Sequence, residues 1–540
     1  PGLYQLEHRT GDRTLSARMI LFDETVVVAD GEIRSDTTWS AGKVYVVFDS
    51  VAVPSGSLLT ISPGAVVKFM SGASITVQNG GSLVANGAIF THIDDDTIGG
   101  DTMLDGSDRT PPLDAYDIAG AVVDDETTEY RYSAPEVVSG TITGNVRWRG
   151  WKVYNIKDNV TLANGARLTV DPGTIVKFGI GKGLVVNSGA VLDAIGTRAQ
   201  PIVFTSIRDD SVGGDTNQDG DGTLPQPGDW VRIGISGGRA NFAHASILYS
   251  SRNSTTGAIN MNGGTVVFDN GLIAHGLYDA VGVESGSFFM TNSVINDCLL
   301  AFRHWARDPI VNCVIYDCGR LTQGGGQHFV NCVFSRIVET WEAFGFPQNG
   351  TTYKNCVFWN ENGSVLTGEG YQDAMTVCGK NGNIWGDPRF VDADRGDYRI
   401  RENSVCVDAA DGSVAPDRDA FGQPRLTLLS ADDAAGVANA QNQYPDIGIC
   451  EVMPRSVTSD VDLSAVSVSA DGSVVPGERL NCTWETRNLG GTAVRESWRD
   501  TISLVSENGA EVVLGDKVSA AGISGGGKVF CSASFTVPAI

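Results

Sequence analysis

The sequence predicts an all-β fold, most of it wound as a solenoid, and three observations carry that expectation. Glycine supplies 66 of the 540 residues, Val, Ile and Thr recur in short runs between Gly and Pro turns, and no long stretch shows a helical apolar period with caps. Residues 39–69 (WSAGKVYVVFDSVAVPSGSLLTISPGAVVKF) and 148–178 (WRGWKVYNIKDNVTLANGARLTVDPGTIVKF) share Trp, KVY, a Gly before a strand, the Pro-Gly turn and VKF at an offset of 109. Further on, HASIL at 244, DNGLI at 269, TNSVI at 291, VNCVI at 311, VNCVF at 330 and KNCVF at 354 follow one another at intervals of 19 to 25 residues. That interval is about one coil of a parallel β-solenoid, in which each coil buries an inward strand against its neighbours and is not stable alone.

Taken in order, residues 1–19 read either as the last hairpin of a preceding module or as a cap, since a solenoid needs its open end covered. Two long repeats follow, 20–128 and 129–236, bent at Pro63-Gly64 and Pro172-Gly173 and each running into an acidic loop: DDTIGGDTMLDGSD at 95–108 and DDSVGGDTNQDGDG at 209–222. Short coils then continue to about 400. Asn270, Asn292, Asn312, Asn331 and Asn355 hold one position in them. Stacked about 4.8 Å apart, they are expected to bond one another and nearby turn amides in a buried ladder. Beside them Ser293, Cys313, Cys332 and Cys356 form a second column, read as small inward residues filling a narrow core.

These segments carry a resemblance. VPSGSLLTISPGAVVKF, its second copy and the following FTSIRDDSVGGDTNQDGDG…PGDW resemble the right-handed parallel β-helix repeats of large secreted or surface bacterial proteins. Residues 387–451 (DPRFVDADRGDYRIRENSVCVDAADGSV…DIGICE) resemble the closing segment of such helices, seen in pectate-lyase-like and surface-anchored proteins. DLSAVSVSADGSVVPGERLNCTWETRNLGGTAVRESWRDTISL (462–504) is similar to the cell-adhesion-related bacterial domain, an immunoglobulin-like sandwich. The resemblance implies a right-handed parallel β-helix over about 20–452 with its closing segment at 387–452, a linker at 453–461, and a truncated β-sandwich at 462–540. It does not name a function, because this architecture hosts many.

A net charge of −25 argues against binding nucleic-acid backbones and suits solubility and divalent cations. No run of 18 apolar residues marks a membrane span. The chain reads as a fragment, so a signal or anchor would lie outside it. All ten cysteines fall at or after Cys298 without the CxxC spacing of a zinc site. Cys298 with Cys318 could form a rung-to-rung bridge, and Cys406 with Cys450 and Cys482 with Cys531 are disulfide candidates in an exported protein.

Two constellations could carry chemistry. DTNQDGDG fits an alternating oxygen-ligand loop for calcium through Asp215, Asn217, Asp219 and Asp221, with Gly220 making the turn. Gln226 stands where such a loop has its Glu, so another carboxylate, such as Asp209 or Asp210, must complete the shell; in the first copy Met103 replaces the middle ligand. Glu284, Arg303, His304, Trp305, Trp341 and Glu342 recur at similar offsets from the ladder asparagines, which puts them on one face as a tentative carbohydrate-binding group. Arg or His there could act as a base in β-elimination of uronates. His8, His92, His244, His275 and His328 are scattered and read as surface or structural residues. The expected function is a non-catalytic segment of a secreted or cell-surface bacterial protein that binds or displays on a polysaccharide or another surface ligand, with calcium rigidifying a loop. The alternative is a polysaccharide lyase or glycoside hydrolase working on the 284–342 face.

Overall fold

The computed structural model describes residues 2–10, 13–21, 26–102, 116–125, 127–133, 135–253, 256–304, 308–324, 326–337, 350–360, 377–428, 434–453, 463–470, 479–488, 498–505, 511–519 and 528–536. After an antiparallel hairpin of Gly2–Thr10 with Arg13–Leu21, the chain winds into coils of three strands, each strand pairing in parallel with its counterpart one coil away. In the first stack one face holds Val26–Val28, Val44–Val47, Val66–Phe69, Ile89–His92 and Glu129–Tyr130. The second holds Gly31–Glu32, Ser50–Val53, Ala73–Val77 and Tyr116–Ala119, and the third Thr37–Trp39, Leu58–Ile61, Ser82–Val84 and Val122–Val123. A second stack begins at Glu136 and continues as one laddered sheet system to Trp385. This is a parallel β-helix.

Its stability comes from columns of identical chemistry. On the first face of the second stack, Val176, Phe204, Ile247, Ile273, Ile295, Ile315, Phe334 and Phe358 succeed one another in register and are all fully buried. Burying each such side chain contributes roughly 1.5–3 kcal/mol, and no coil gains it without the next.

The asparagines occupy a corner, and their role differs from a simple ladder. Asn270, Asn292, Asn312, Asn331 and Asn355 all adopt the left-handed conformation, with φ between 46° and 56°. Asn tolerates that region better than other side chains because its short amide can bond locally, which explains its recurrence where the chain turns from one strand to the next. Among the described residues a single link joins two of them, Asn331 Nδ2 donating to Asn312 Oδ1 at 3.0 Å. Of the other amides, three donate outward to the backbone of the 387–452 segment, Asn292 to the Arg418 carbonyl, Asn312 to those of Asp446 and Gly448, and Asn355 to that of Ala409, while Asn270 donates to its neighbour Asp269.

That segment lies along the outside of the coils. Leu272, Val294, Val314, Val333, Val357 and Ile384 are outward-facing residues of the first face, and they pack with Tyr398, Ile400, Cys406, Val407, Ile447 and Ile449 in a second core. Within the segment turns replace strands, and buried carboxylates serve the turn amides. Asp446 accepts from the Asp408 and Val452 amides, and Glu451 accepts from Leu426 and Asp446 and pairs with buried Arg425.

All ten cysteines are free thiols, so the pairs suggested by sequence do not form. Cys482 faces Ala533 across its ladder while Cys531 faces Trp484, which sets the two cysteines off register. Cys313, Cys332 and Cys356 point into the core, fully buried, with their thiols against strand carbonyls. Burial pushes the Cys298 thiol up to about 12, which makes it a small apolar group.

Residues 453–540 form a separate compact unit. It holds an antiparallel sheet of Leu463–Ala470, Arg479–Asn488 and Lys528–Thr536 and an antiparallel pair, Trp498–Val505 with Glu511–Ser519. Leu480, Trp484 and Phe535 of the first sheet share a small core with Ile502 and Leu514 of the pair. Among the described residues no helix is long and apolar enough to cross a membrane.

Candidate functional site

The two acidic loops are built on the same buried cation. Lys68 and Lys177, the lysines of the two VKF strands, are fully buried, and each strand pairs with the strand that leads into its loop. A buried ammonium must be hydrogen-bonded or neutralised, and the loop does both. Lys68 Nζ donates to the carbonyls of Asp95 (2.9 Å) and Gly100 (2.6 Å), and Lys177 Nζ donates to that of Gly214 (2.5 Å). Burial pushes Lys177 down to about 8, against the opposing pull of Asp210, Asp209 and Asp215. Lys68 is lowered by burial too, opposed by Asp96, Asp95, Asp101 and Asp94. Neither lysine is among the candidates drawn from the sequence, although a lysine at the same place between buried apolar residues in two copies was the available signal.

The loop entrance is duplicated atom for atom. Thr91 Oγ1 donates to Asp95 Oδ2 at 2.5 Å, and Thr205 Oγ1 to Asp209 Oδ2 at 2.6 Å. The other carboxylate oxygen of each aspartate takes the amide and hydroxyl two residues on, from Thr97 and from Ser211. Asp209 is thereby committed to holding the loop.

In the second loop the carboxylates of Asp210, Asp215 and Asp219 converge, with one ligand oxygen from each lying within 4.8 Å of the others. Asp215 accepts from the Asp219 and Gly220 amides, which fixes the tight turn. Asn217 lies between them, its Nδ2 donating to Asp219 Oδ2 at 2.9 Å. Asp210 Oδ1 and Asn217 Oδ1 are buried oxygen atoms without a hydrogen-bond partner. Burial raises the Asp210 carboxyl; Lys177 lowers it, and Asp215, Asp219 and Asp209 raise it further. Hard oxygen ligands on alternate residues suit a divalent ion of the calcium type, and the set here is Asp210, Asp215, Asn217 and Asp219. The Asp221 side chain lies outside the described residues, as does the end of the first loop, 103–115.

The tentative sugar-binding face is only partly described. Trp305, Trp341 and Glu342 lie outside the described residues, as does the His304 side chain. Glu284 is exposed and is the extra residue where the ladder slips between Met261–Val283 and Asn262–Ser285, a bulge that turns it outward. Val283, next to it, pairs with His304. Arg303 is engaged: its Nε and Nη2 both donate to Asp279, a carboxylate with no exposure, in a bidentate pair. This guanidinium neutralises a buried charge between adjacent coils.

Two grooves lie between the first face and the 387–452 segment. One, of about 600 Å³, is bounded by Trp359, Asp387, Arg389, Asp392 and Arg401. The other, of about 540 Å³, has Leu272 and Val294 in its floor and Arg198, His244, His275, Tyr398 and Phe421 around it. Asp394 lines both. At the edge of the second, His275 Nδ1 meets Asp297 Oδ2 of the next coil at 2.8 Å, and the imidazole stacks on Tyr249 with centroids 5.0 Å apart. His92 and His328 bond Ser71 and Thr352, respectively.

A search of curated proteins returns no match. A family model described as a pectate-lyase-like β-helix domain matches residues 140–218, from the first strands of the second stack into its acidic loop, taking in Asp210 and Asp215 and stopping one residue before Asp219; over that stretch the chain is similar in sequence as well as in winding to that kind of β-helix.

Proposed function

We propose that this chain is a non-catalytic part of a large secreted or cell-surface bacterial protein that engages a polysaccharide on the outside of its β-helix, with calcium held in the second acidic loop. The observation that supports the polysaccharide reading is the pair of grooves along one face, joined at Asp394. Coils spaced about 4.8 Å apart offer a repeating floor to a repeating ligand, and Trp359, Phe421 and arginines at the rims are the groups that hold sugar rings and their polar substituents. Calcium is supported by three converging carboxylates, one of which, Asp210, carries an orphaned buried oxygen, together with the orphaned oxygen of Asn217. The resemblance of 462–504 to the cell-adhesion-related domain supports a surface location, and the two antiparallel sheets of 453–540 suit a sandwich of that kind.

The second reading, a lyase or hydrolase, draws on the His275–Asp297 pair, since an Nδ1 that donates to the carboxylate leaves Nε2 as an acceptor on a residue that lines the groove. A panel of acidic and neutral polysaccharides, titrated against the intact chain while reducing ends and unsaturated-uronate absorbance are followed in the same samples, separates the two. Binding without turnover is the expected result. Product formation lost in His275→Ala would establish the enzyme instead, and the absence of any binding would leave the chain as a spacer.

A further inference from the structure

We infer that the β-helix is jointed: its two stacks swing against each other at residues 131–133, and Asp124 with Arg147 and Arg149 is the catch that holds the joint closed. Three observations point there, and none depends on what the grooves bind. First, the winding is interrupted. Glu129–Tyr130 ends the first stack on its first face, and Glu136 soon afterwards starts the second stack on the matching face, beside Tyr154. No coil goes round between them. Among the described residues no strand pairing and no backbone-to-backbone hydrogen bond crosses from one stack to the other. The buried apolar residues of the first stack, up to Tyr130, and those of the second, from Ile142, fall into separate cores.

Second, the end of the first stack lacks a covering coil, and the second repeat shows what is missing. Ile118 and Val122 sit on Ile75 and Leu83; their counterparts Ile233 and Ala240 sit on Leu184 and Leu192, the same positions 109 residues later. Ile233 and Ala240 are fully buried, because Ile259 and Val266 of the next coil lie on them. Ile118 and Val122 are only partly buried. With Tyr116 and Tyr130 they line a cavity of about 230 Å³ that Glu136, Arg149 and Lys152 of the second stack line from the other side. Coils that share packed apolar surface are locked together by it; a gap of this kind has little of that to lose on opening.

Third, what crosses the gap is a set of side chains, and these are peculiar to the second copy. Asp124, its side chain 4% exposed and bonded by the Tyr130 hydroxyl, receives Arg147 Nη1 at 3.2 Å and Arg149 Nε at 2.5 Å. Asp171 holds Arg147 in its own stack at 2.7 Å. Arg131 lies over the Trp151 ring at 4.3 Å, and Gln200 Nε2 donates to Glu129 at 3.2 Å. At the matching places the first copy has Thr38, Ser40 and Gly42 where the second has Arg147, Arg149 and Trp151. Trp151 keeps at φ 63° the left-handed turn that Gly42 makes at 73°, a conformation costly for a bulky side chain. The cost is borne where its ring meets the other stack.

The test is pulsed dipolar spin-label spectroscopy on the intact chain, with labels at Val28→Cys and Ile195→Cys, an exposed position in each stack. A Cys378→Ser background removes the one native thiol that is not buried. A control pair, Ile195→Cys with Leu299→Cys, lies within the second stack. Across the joint the wild type should show a closed distance and a minor open population. Asp124→Ala should raise the open population on the order of tenfold, and added salt should move it the same way by less, while the control distance stays single. Arg149→Ser with Trp151→Gly, which gives the second copy the residues of the first, should act like Asp124→Ala. Hydrogen exchange tells a swinging joint from a melted stack: peptides around Val67 and Ile75, inside the first stack, should keep their protection in these variants. A distance across the joint that stays single in both variants overturns the inference. So does lost protection at Val67 and Ile75, because the first stack then unfolds where it should swing.

Discussion

The two acidic loops start from one blueprint and end differently. In both, a tryptophan stacks on the tyrosine of KVY (centroids 4.7 and 4.9 Å), that tyrosine's hydroxyl accepts a backbone amide at 2.7 Å, and a lysine of the next strand is capped by loop carbonyls. After the loop, Tyr116 stacks on Phe69 at 4.2 Å and Trp230 on Phe178 at 4.0 Å. The difference lies in what surrounds the lysine. In the first copy its ammonium binds two carbonyls, and four aspartates of the loop are near enough to act on it; in the second it binds one, and three carboxylates converge a short way off beside orphaned oxygens. The comparison teaches that the acidic residues are first of all counter-charges for a buried lysine, and that the converging carboxylates of the second copy are an addition to that frame.

The sharpest way to break the comparison is to remove the lysine. Lys68→Met or Lys177→Met leaves the loop carbonyls that the ammonium caps unmet, a change that costs about 1–3 kcal/mol, and urea unfolding should show it in both copies. If either variant keeps wild-type stability, the shared frame is wrong. Calcium should then separate the copies. A chelator should lower the melting temperature of the wild type, by an amount equivalent to about 2.7 kcal/mol at a hundredfold excess over the dissociation constant, and Asp215→Asn with Asp219→Asn should abolish that response. In Lys177→Met, but not in Lys68→Met, added calcium should recover part of the lost stability by replacing the missing positive charge. A melting curve indifferent to chelator rules out a structural ion.

A smaller contrast tests the rings that follow the loops. Trp230 Nε1 donates to the Leu248 carbonyl at 2.7 Å, whereas the Tyr116 hydroxyl is buried without a partner. Trp230→Phe should therefore cost about 1–3 kcal/mol through an unmet carbonyl and lost packing, while Tyr116→Phe should be neutral or stabilise by up to about 1 kcal/mol. The subtlest difference is a titration. A lysine held at about 8 binds fewer protons folded than unfolded between about 8 and the ordinary value near 10.4. By itself it makes stability rise with pH across that window. The pull of Asp210, Asp209 and Asp215 is already part of the value of about 8, and the ammonium itself is the most direct reporter. Its NMR resonance should titrate ahead of the exposed lysines, and calcium should shift its midpoint lower still. A Lys177 midpoint among those of the surface lysines would contradict the burial described.

The winding was legible in the sequence because it is set by repetition. The shared WxxxKVY…VKF frame and the NCV units mark a corner or an inward position in every coil, and one coil cannot be built without specifying the next. The asparagines were legible as a column but not in their purpose: a left-handed corner and an inward ladder demand the same residue, and only the closing segment, more than 100 residues downstream in the cases of Asn292 and Asn312, decides where the amides point. Cys482 and Cys531 failed as a disulfide pair because spacing along the chain says nothing about register across a sheet. At the loop, alternating oxygens pointed to Asp215, Asn217 and Asp219. Asp209 and Asp210 were interchangeable there as the completing carboxylate; the structure commits Asp209 to holding the loop and leaves Asp210 beside Asp215 and Asp219.

The way residues 387–452 lie across the coils has a consequence for how the chain comes into being. Coils up to about residue 250 find their apolar partners within one or two turns of chain and can wind up as they leave the ribosome. The outward faces of Leu272, Val294, Val314, Val333 and Val357 begin to be covered only when the chain reaches Tyr398, and the cover is complete only past Ile449. A nascent or truncated chain ending between these points therefore carries a greasy stripe along an otherwise finished surface, and that stripe is where premature products of this protein should stick to one another.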